Sequence, residues 1–257
     1  MRGTLTFLGT GTSTGVPLIG CRCATCCSVD PRDKRLRTSA LLQAEGGTRI
    51  LFDCGPDFRH QILNFPFGPI DGILVTHEHY DHVGGLDELR PFSAFGSVKV
   101  YANSRTVEAI RQRMPYCFEQ KAKRGIPKIA LQTVSAEEPF QVGGMTVVPV
   151  EVLHGTLPIL GYRIGTFAYI TDMLFIEPHE KLKLNGVKTL VVNGLKEPPH
   201  PTHQTISEAV SLCESLKVER GFITHLCHNA PPHAAVLERM PPHIIPAYDG
   251  LKITFDF

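Results

Sequence analysis

No sign of charge prevails in this chain: Lys and Arg number 26 against 25 Asp and Glu, a formal net charge of +1. That balance excludes a large uniform basic surface for nucleic acid or an anionic membrane and leaves only a local groove for an anionic partner. Long apolar runs are missing too. The most apolar long window, Leu157 to Ile176, is broken by Arg163, Asp172, Pro158, Gly161 and Gly165, so it reads as two short strands and not as a membrane span. The N-terminal stretch has Gly and Thr where an export signal needs an unbroken apolar core, and a cytoplasmic protein is expected. Internal repeats and linker-like shifts in composition are also lacking, which favours one domain over residues 1–257.

What is present is a globular composition. Hydrophobic residues make up 42% and charged ones 20%, while 23 Gly and 20 Pro signal many turns without low-complexity bias. A chain of this size buries about 70 to 75% of its unfolded surface and needs no disulfide staples. Runs rich in β-branched and aromatic residues predict strands at Thr4–Leu8, Ala40–Ala44, Arg49–Phe52, Gly72–Thr76, Val98–Tyr101, Met145–Leu153, Tyr162–Gly165, Phe167–Thr171, Thr189–Val192, Arg220–Thr224 and Leu251–Phe255. Helical spacing is clearest from Ile206 to Leu216, where Ile206, Ala209, Val210, Cys213 and Leu216 share one face, with further helices near Ser104–Arg113 and Asp57–Leu63. Many strands with interspersed helices suggest two packed sheets covered by helices. A single dinucleotide-binding sheet is disfavoured, because the glycine-rich stretch from Gly9 to Gly15 lacks the fingerprint spacing and no helical pattern follows it.

The chemistry concentrates in His77, Glu78, His79, Tyr80, Asp81 and His82, which directly follow the apolar run from Ile73. A buried strand therefore delivers the cluster to its exposed end, where loops present ligands. His77 and His79 project the same way from an extended segment and suit one metal, while Asp81 and His82 reach a second after the chain turns.

This pattern resembles the metallo-β-lactamase-fold hydrolases, whose HxHxDH loop serves a two-metal site, and the likeness extends over nearly the whole chain. It implies an α/β fold built as an αββα four-layer sandwich. Asp53 looks like the family's early strand-end aspartate, which supports the metal loop without binding metal. His154, Asp172 and His225 each end a predicted strand. The resemblance implies His77, His79 and His154 on one metal, Asp81, His82 and His225 on the other, and Asp172 bridging, with Asp81 also taking part in catalysis. Two dications at about +4, offset by about −3 from Asp81, Asp172 and a shared hydroxide, leave the site near about +1, suited to an anionic phosphodiester. Manganese or zinc is implied for the catalytic pair.

Cys21, Cys23 and Cys26 form a C-x-C-x2-C run in a turn-rich loop. In a cytosolic chain three such thiolates want one more ligand, which reads as a structural zinc site with no open position for water. The resemblance thereby narrows to the branch containing the cyclic ribosyl phosphate phosphodiesterase of phosphonate metabolism. That branch closes the site with the second histidine of a THxxH segment, here Thr224 to His228, so His228 is the implied fourth ligand. Cys27 is left over, and Cys54, Cys117, Cys213 and Cys227 read as buried or half-buried thiols.

His203 matches the family's non-ligand active-site histidine ahead of a helix, and is assigned as general acid or donor to a phosphate oxygen, with His200 competing for the role. The basic stretch Arg111–Lys128, with Lys121, Lys123 and Arg124, is either a solvated face or a lid over an anionic substrate. Asp249 and Gly250 read as a turn before the last strand. The function so implied is hydrolysis of a small, cyclic phosphate ester. A tRNA 3′-processing endonuclease is the nearest alternative, disfavoured by the net charge and by the lack of a long Gly/Pro-rich arm; a thioesterase or lactonase on the same scaffold and a zinc-stabilised, non-catalytic binding module are the others. Similar proteins form dimers, so a homodimer is implied.

Overall fold

The computed structural model describes residues 2–118 and 125–257. The first sheet contains β1 (Arg2–Gly9), β2 (Ser39–Ala44), β3 (Arg49–Phe52), β4 (Gly72–Leu74), β5 (Val98–Ala102) and β6 (Ile129–Thr133). The second contains β7 (Phe140–Val142), β8 (Met145–His154), β9 (Leu157–Ile164), β10 (Phe167–Ile170), β11 (Thr189–Asn193), β12 (Arg220–Thr224) and β13 (Ile244–Pro246). β14 (Lys252–Asp256) returns to the edge of the first sheet, giving the orders β14-β1-β2-β3-β4-β5-β6 and β13-β12-β11-β10-β9-β8-β7.

Both sheets change character midway. Pairing is antiparallel from β14 to β3 and from β7 to β10, then parallel from β3 to β6 and from β10 to β13. The parallel strands β4, β10 and β11 are buried throughout, as expected where helices cover one face and a second sheet the other. β14 alternates instead, with Ile253 and Phe255 turned inward and Lys252, Thr254 and Asp256 outward.

Between the sheets lies one apolar layer with contributions from both, including Phe7, Leu42, Phe52, Tyr162, Phe167, Tyr169 and Phe255. Phe52 stacks on Tyr169 with centroids 4.6 Å apart, joining β3 to β10. Two outer layers cover the opposite faces of the sheets. The helix Ile206–Ser215 buries Ile206, Ala209, Leu212 and Cys213, and starts at a capping box in which Thr205 and Glu208 satisfy each other's backbone N–H groups. Ser104–Arg113 is capped by the Asn103 side chain and buries Thr106, Val107 and Ile110. The two packed sheets covered by helices that the sequence leads one to expect are therefore present.

The two-strand reading of the 157–176 window is met by β9 and β10, with β9 starting five residues earlier than predicted. β6, β7 and β13 were not predicted. β6 has no buried residue and β7 and β13 are three residues long, so none carries the apolar run on which strand prediction depends. Short helices at Ala24–Cys27, Tyr80–Val83, Pro178–Lys181 and His233–Glu238 were likewise not predicted, because one or two turns show no periodicity. Among the described residues, no helix is long and apolar enough to cross a membrane.

Candidate metal centre

The candidate centre lies beyond the carboxyl ends of parallel strands, where open α/β sheets place their ligands. Asp53 follows β3, His77 follows β4, Asp172 follows β10 and His225 follows β12, while His154 is the last residue of β8. Three of these residues hold left-handed backbone angles: Asp53 at φ 56°, Asp172 at 66° and His225 at 59°. Non-glycine residues adopt this region at a cost, and a cluster of them marks a functional site.

The strand end carrying His77 is held from several sides. Val75 donates its N–H to the Tyr101 carbonyl (3.0 Å) and accepts from the Tyr162 hydroxyl (2.6 Å), while Leu160 of the second sheet donates to the Thr76 carbonyl (3.1 Å). Asp53 receives the Thr76 N–H at 2.8 Å and its hydroxyl at 3.1 Å, and its other oxygen lies 2.8 Å from His82 Nδ1. With its proton committed to Asp53, the Thr76 hydroxyl accepts from His77 Nδ1 at 3.0 Å. These bonds set the tautomers: His77 and His82 are protonated on Nδ1 and turn Nε2 inward. His154 follows the same rule, since Nδ1 lies 2.8 Å from the Asp172 carbonyl and 2.9 Å from the Thr202 carbonyl, both of which only accept.

The inward atoms form two groups whose potential ligand atoms lie within 4.8 Å of one another, His77, His79 and His154 in one and Asp81, His82, Asp172 and His225 in the other, and His203 completes a third, overlapping set with His154 and Asp172. His77 Nε2 and His79 Nδ1 are 2.8 Å apart. Asp172 stands between the groups. Its Oδ2 is 3.7 Å from His77 Nε2 and 3.2 Å from His82 Nε2, and its Oδ1 is 3.1 Å from His225 Nε2. Asp81 lies 3.3 Å from His82 and 3.6 Å from His225.

Electrostatics agree with the geometry. Burial pulls His82 down, yet the carboxylates of Asp172, Asp53 and Asp81 outweigh it and hold the ring well above its ordinary pKa. Burial raises Asp172, but His225 and His82 outweigh it and hold the carboxyl well below the usual range. Asp81 is likewise lowered, against its own burial, by the charge of His82 and the nearness of the His225 ring. Asp53 goes the other way, because complete burial exceeds the help from His82 and Thr76. The ring atoms His82 Nε2, His225 Nδ1 and His225 Nε2 are buried without a hydrogen-bond partner among the described residues. Orphaned nitrogens facing carboxylates are costly unless a cation joins them, and the His/Asp donor set fits divalent metals such as zinc or manganese.

His203 is buried beside both groups, with ring centroids 4.6 Å from His154 and 5.0 Å from His225. Burial brings its pKa down to about 3, so the ring is neutral at physiological pH. His200 lies one ring farther out, 5.1 Å from His203. It is half-buried and does not join any of the potential metal groups.

Cys21, Cys23, Cys26 and His228 also converge within 4.8 Å. His228 Nδ1 is 3.3 Å from Cys21 Sγ and 3.7 Å from Cys23 Sγ. Within the turn-rich loop, Cys23 caps the helical turn Ala24–Cys27 and receives the Cys26 N–H at 3.4 Å. That bond, with His228, lowers the Cys23 thiol to about 6, while burial raises Cys26 to about 11. Cys27 is exposed; Cys54, Cys213 and Cys227 are buried and Cys117 is half-buried.

Other expectations fare differently. Asp249 is more than a turn residue: its half-buried carboxylate accepts from the Thr10 hydroxyl and the Leu36 N–H, each at 2.7 Å. Of the basic stretch, Arg113 donates to the Glu78 carbonyl at 3.0 Å and its guanidinium lies over the Tyr80 ring. Lys121, Lys123 and Arg124 lie outside the described residues. Sequence reasoning missed the positioning groups Thr76, Thr202, Tyr162 and Asn193. Asn193 brackets the turn after Asp172, accepting from the Met173 N–H at 2.8 Å and donating to its carbonyl at 2.9 Å. A polar residue ending a buried strand was the available signal for Asn193; Thr202 acts through its carbonyl, which leaves no trace in composition.

Residues 48–226 match the family described as a beta-lactamase superfamily domain. A Porphyromonas gingivalis protein named octanoyltransferase is 45% identical over 251 residues, covering 97% of this chain and 51% of that protein. The chain thus spans about half the length of that relative. A crystal structure described as a new diphosphatase from the PhnP family superposes with a TM-score of 0.92 at 40% identity, covering 99% of this chain and 98% of the other. Human short-form tRNase Z has a TM-score of 0.68 at 19% identity, over 97% of this chain and 98% of its own, a likeness of fold alone.

Proposed function

The chain belongs to the beta-lactamase superfamily, and from that premise we propose that it is a metal-dependent phosphodiesterase acting on a small, preferably cyclic, phosphate ester. The Asp172 carboxylate carries the reading: one anion lies within 3.7 Å of His77, 3.2 Å of His82 and 3.1 Å of His225, shared between two donor sets. In this scheme His77, His79 and His154 would hold one divalent cation and Asp81, His82 and His225 the other, with Asp172 placed to serve either. Cations bound there would lower the pKa of water from 15.7 toward about 7 and stabilise charge on phosphoryl oxygens. The chain's own residues do the rest. Asp53 and Thr76 orient the rings of His82 and His77, and Asp81 stays anionic beside His225. His203, neutral and buried, donates an N–H to a phosphoryl or departing oxygen, which favours the donor role over that of an imidazolium acid. Cys21, Cys23, Cys26 and His228 form a closed four-ligand set suited to a structural zinc.

A second reading, hydrolysis of a diphosphate, is favoured by the 40% identity to the diphosphatase. The acyl-transfer name belongs to a relative about twice as long as this chain, so a thioester belongs in the same assay. Manganese- or zinc-loaded protein is offered bis-p-nitrophenyl phosphate, a thioester and a lactone. Turnover of the phosphodiester that disappears in Asp172→Ala is expected. Hydrolysis of the thioester or lactone alone would overturn the proposal.

A further inference from the structure

We propose that His200 selects substrates that carry a second phosphoryl group next to the one attacked, holding that group through its Nε2–H. The inference rests on the diphosphate-hydrolysing reading of this site and deepens it.

The argument begins at Thr202, whose N–H lies 3.4 Å and whose hydroxyl 3.1 Å from His200 Nδ1. A backbone N–H only donates, so His200 Nδ1 is an acceptor and the proton of the neutral ring sits on Nε2. The carbonyl of the same Thr202 accepts from His154 Nδ1 at 2.9 Å, leaving His154 Nε2 as a lone pair. One residue therefore sets two histidines in opposite tautomers. A metal ligand needs the lone pair that His154 offers; an oxyanion needs the N–H that His200 offers.

Placement agrees with that division. His225, His203 and His200 form a row of rings with successive centroids 5.0 Å and 5.1 Å apart, running outward from the buried cluster to a half-buried position. No group among the described residues takes up His200 Nε2. Pro199 and Pro201 flank the ring and restrict the backbone, so little conformational freedom is lost when a ligand binds. The loop is pinned at its inner end, where Leu195 donates to the Gln204 carbonyl and Gln204 to the Met173 carbonyl. Lys196 adds a positive charge near His200, while Glu197 is engaged by the Ser207 hydroxyl at 3.0 Å. A donor and a cation one ring beyond His203 suit the non-reacting phosphate of a diphosphate.

The test uses metal-loaded full chain, His200→Phe to keep a ring without the donor, and His200→Gln to restore an N–H. Metal content is measured for each. Binding of methylenediphosphonate and of methylphosphonate is followed by calorimetry, and KM is compared for ADP-ribose and bis-p-nitrophenyl phosphate. In H200F the preference for methylenediphosphonate should fall about tenfold, with a matching rise in KM for ADP-ribose relative to bis-p-nitrophenyl phosphate, and H200Q should recover part of both. Equal effects on the one- and two-phosphate ligands, or no preference in the unaltered protein, overturn the role of His200 even if phosphodiester turnover is intact. Failure to turn over ADP-ribose or any phosphate ester while the diphosphonate preference persists and depends on His200 would instead count against the hydrolytic reading alone.

Discussion

Asp53 shows how much of this site depends on a side chain that faces the ligand set from behind. Its carboxylate receives the Thr76 N–H and hydroxyl and orients His82 through Nδ1. Removing such a partner typically weakens metal binding about 10- to 100-fold. Asp53→Ala should show that loss in a competition titration against a chelating dye, with Asp53→Asn less affected because it keeps acceptors for Thr76. Undiminished affinity in D53A would remove the orienting role. His233, away from the centre, makes a pH prediction. Its backbone N–H donates to Asp33 at 2.7 Å and its ring Nδ1 faces Arg35 Nη2 at 3.4 Å; burial, then Arg35 and Arg32, bring its pKa down to about 4. On acidification the unfolded chain takes up this proton first, from its ordinary pKa near 6.5. Folding therefore loses stability between pH 6.5 and 4, by about 1 to 2 kcal/mol at pH 5 relative to pH 7. Thermal melts of His233→Gln should show a correspondingly flatter dependence over that interval. The individual histidines and aspartates of the cluster were legible because the HxHxDH spacing confines four of them to six positions. The opposite tautomers of His154 and His200 were not, because they depend on a carbonyl and an N–H that every sequence contains.

At the scale of elements, the segment after β3 is packed directly on the His77–His82 loop. Cys54 donates to the His82 carbonyl and Gly85 to the Cys54 carbonyl, each at 2.8 Å. A Cβ at Gly55 would lie 2.1 Å from the Asp81 carbonyl oxygen, and one at Gly85 would lie 2.0 Å from the Gly55 carbonyl oxygen. Both contacts are with backbone, so relief requires moving the segment that carries Asp81 and His82. Gly55→Ala should cost about 2 to 4 kcal/mol, read as a lower midpoint in urea, and should reduce metal retention in the same preparation. A variant with normal stability and metal content would show that the two segments can separate. The strands that deliver the ligands were predicted because each holds a buried apolar run. Their ends were less legible: Val75 and Thr76 were assigned to a strand, yet β4 stops at Leu74, where the chain leaves the ladder to bond with Tyr101, Tyr162 and Asp53.

For the whole molecule, the two candidate metal regions share one piece of chain. His225 and His228 are three residues apart, and Leu226 between them exchanges backbone bonds with Thr10 and Thr12 of the N-terminal segment. Thr25 of the cysteine loop donates to the Ala230 carbonyl at 2.6 Å, closing the connection. Mass-spectrometric metal analysis of protein purified without chelator should find about three metals per chain, with one lost in Cys23→Ser. A single metal in the unaltered protein would contradict the scheme. Stripping all metal should lower the melting temperature, because the carboxylates of Asp81 and Asp172 then face His82 and His225 with only protons to balance them.

Composition and apolar runs were sufficient for the two-sheet architecture and most of its strands, and motif spacing for the His77–His82 cluster, since local propensity and donor chemistry are written residue by residue, whereas His154, Asp172 and His225 were singled out only through the family resemblance. Tertiary structure alone decided that Asp53, Asp172 and His225 turn through left-handed angles, and that Thr202 serves two rings at once. Each is a relation between segments far apart in the chain. Such relations depend on how the sheets pack face to face, which no local pattern encodes.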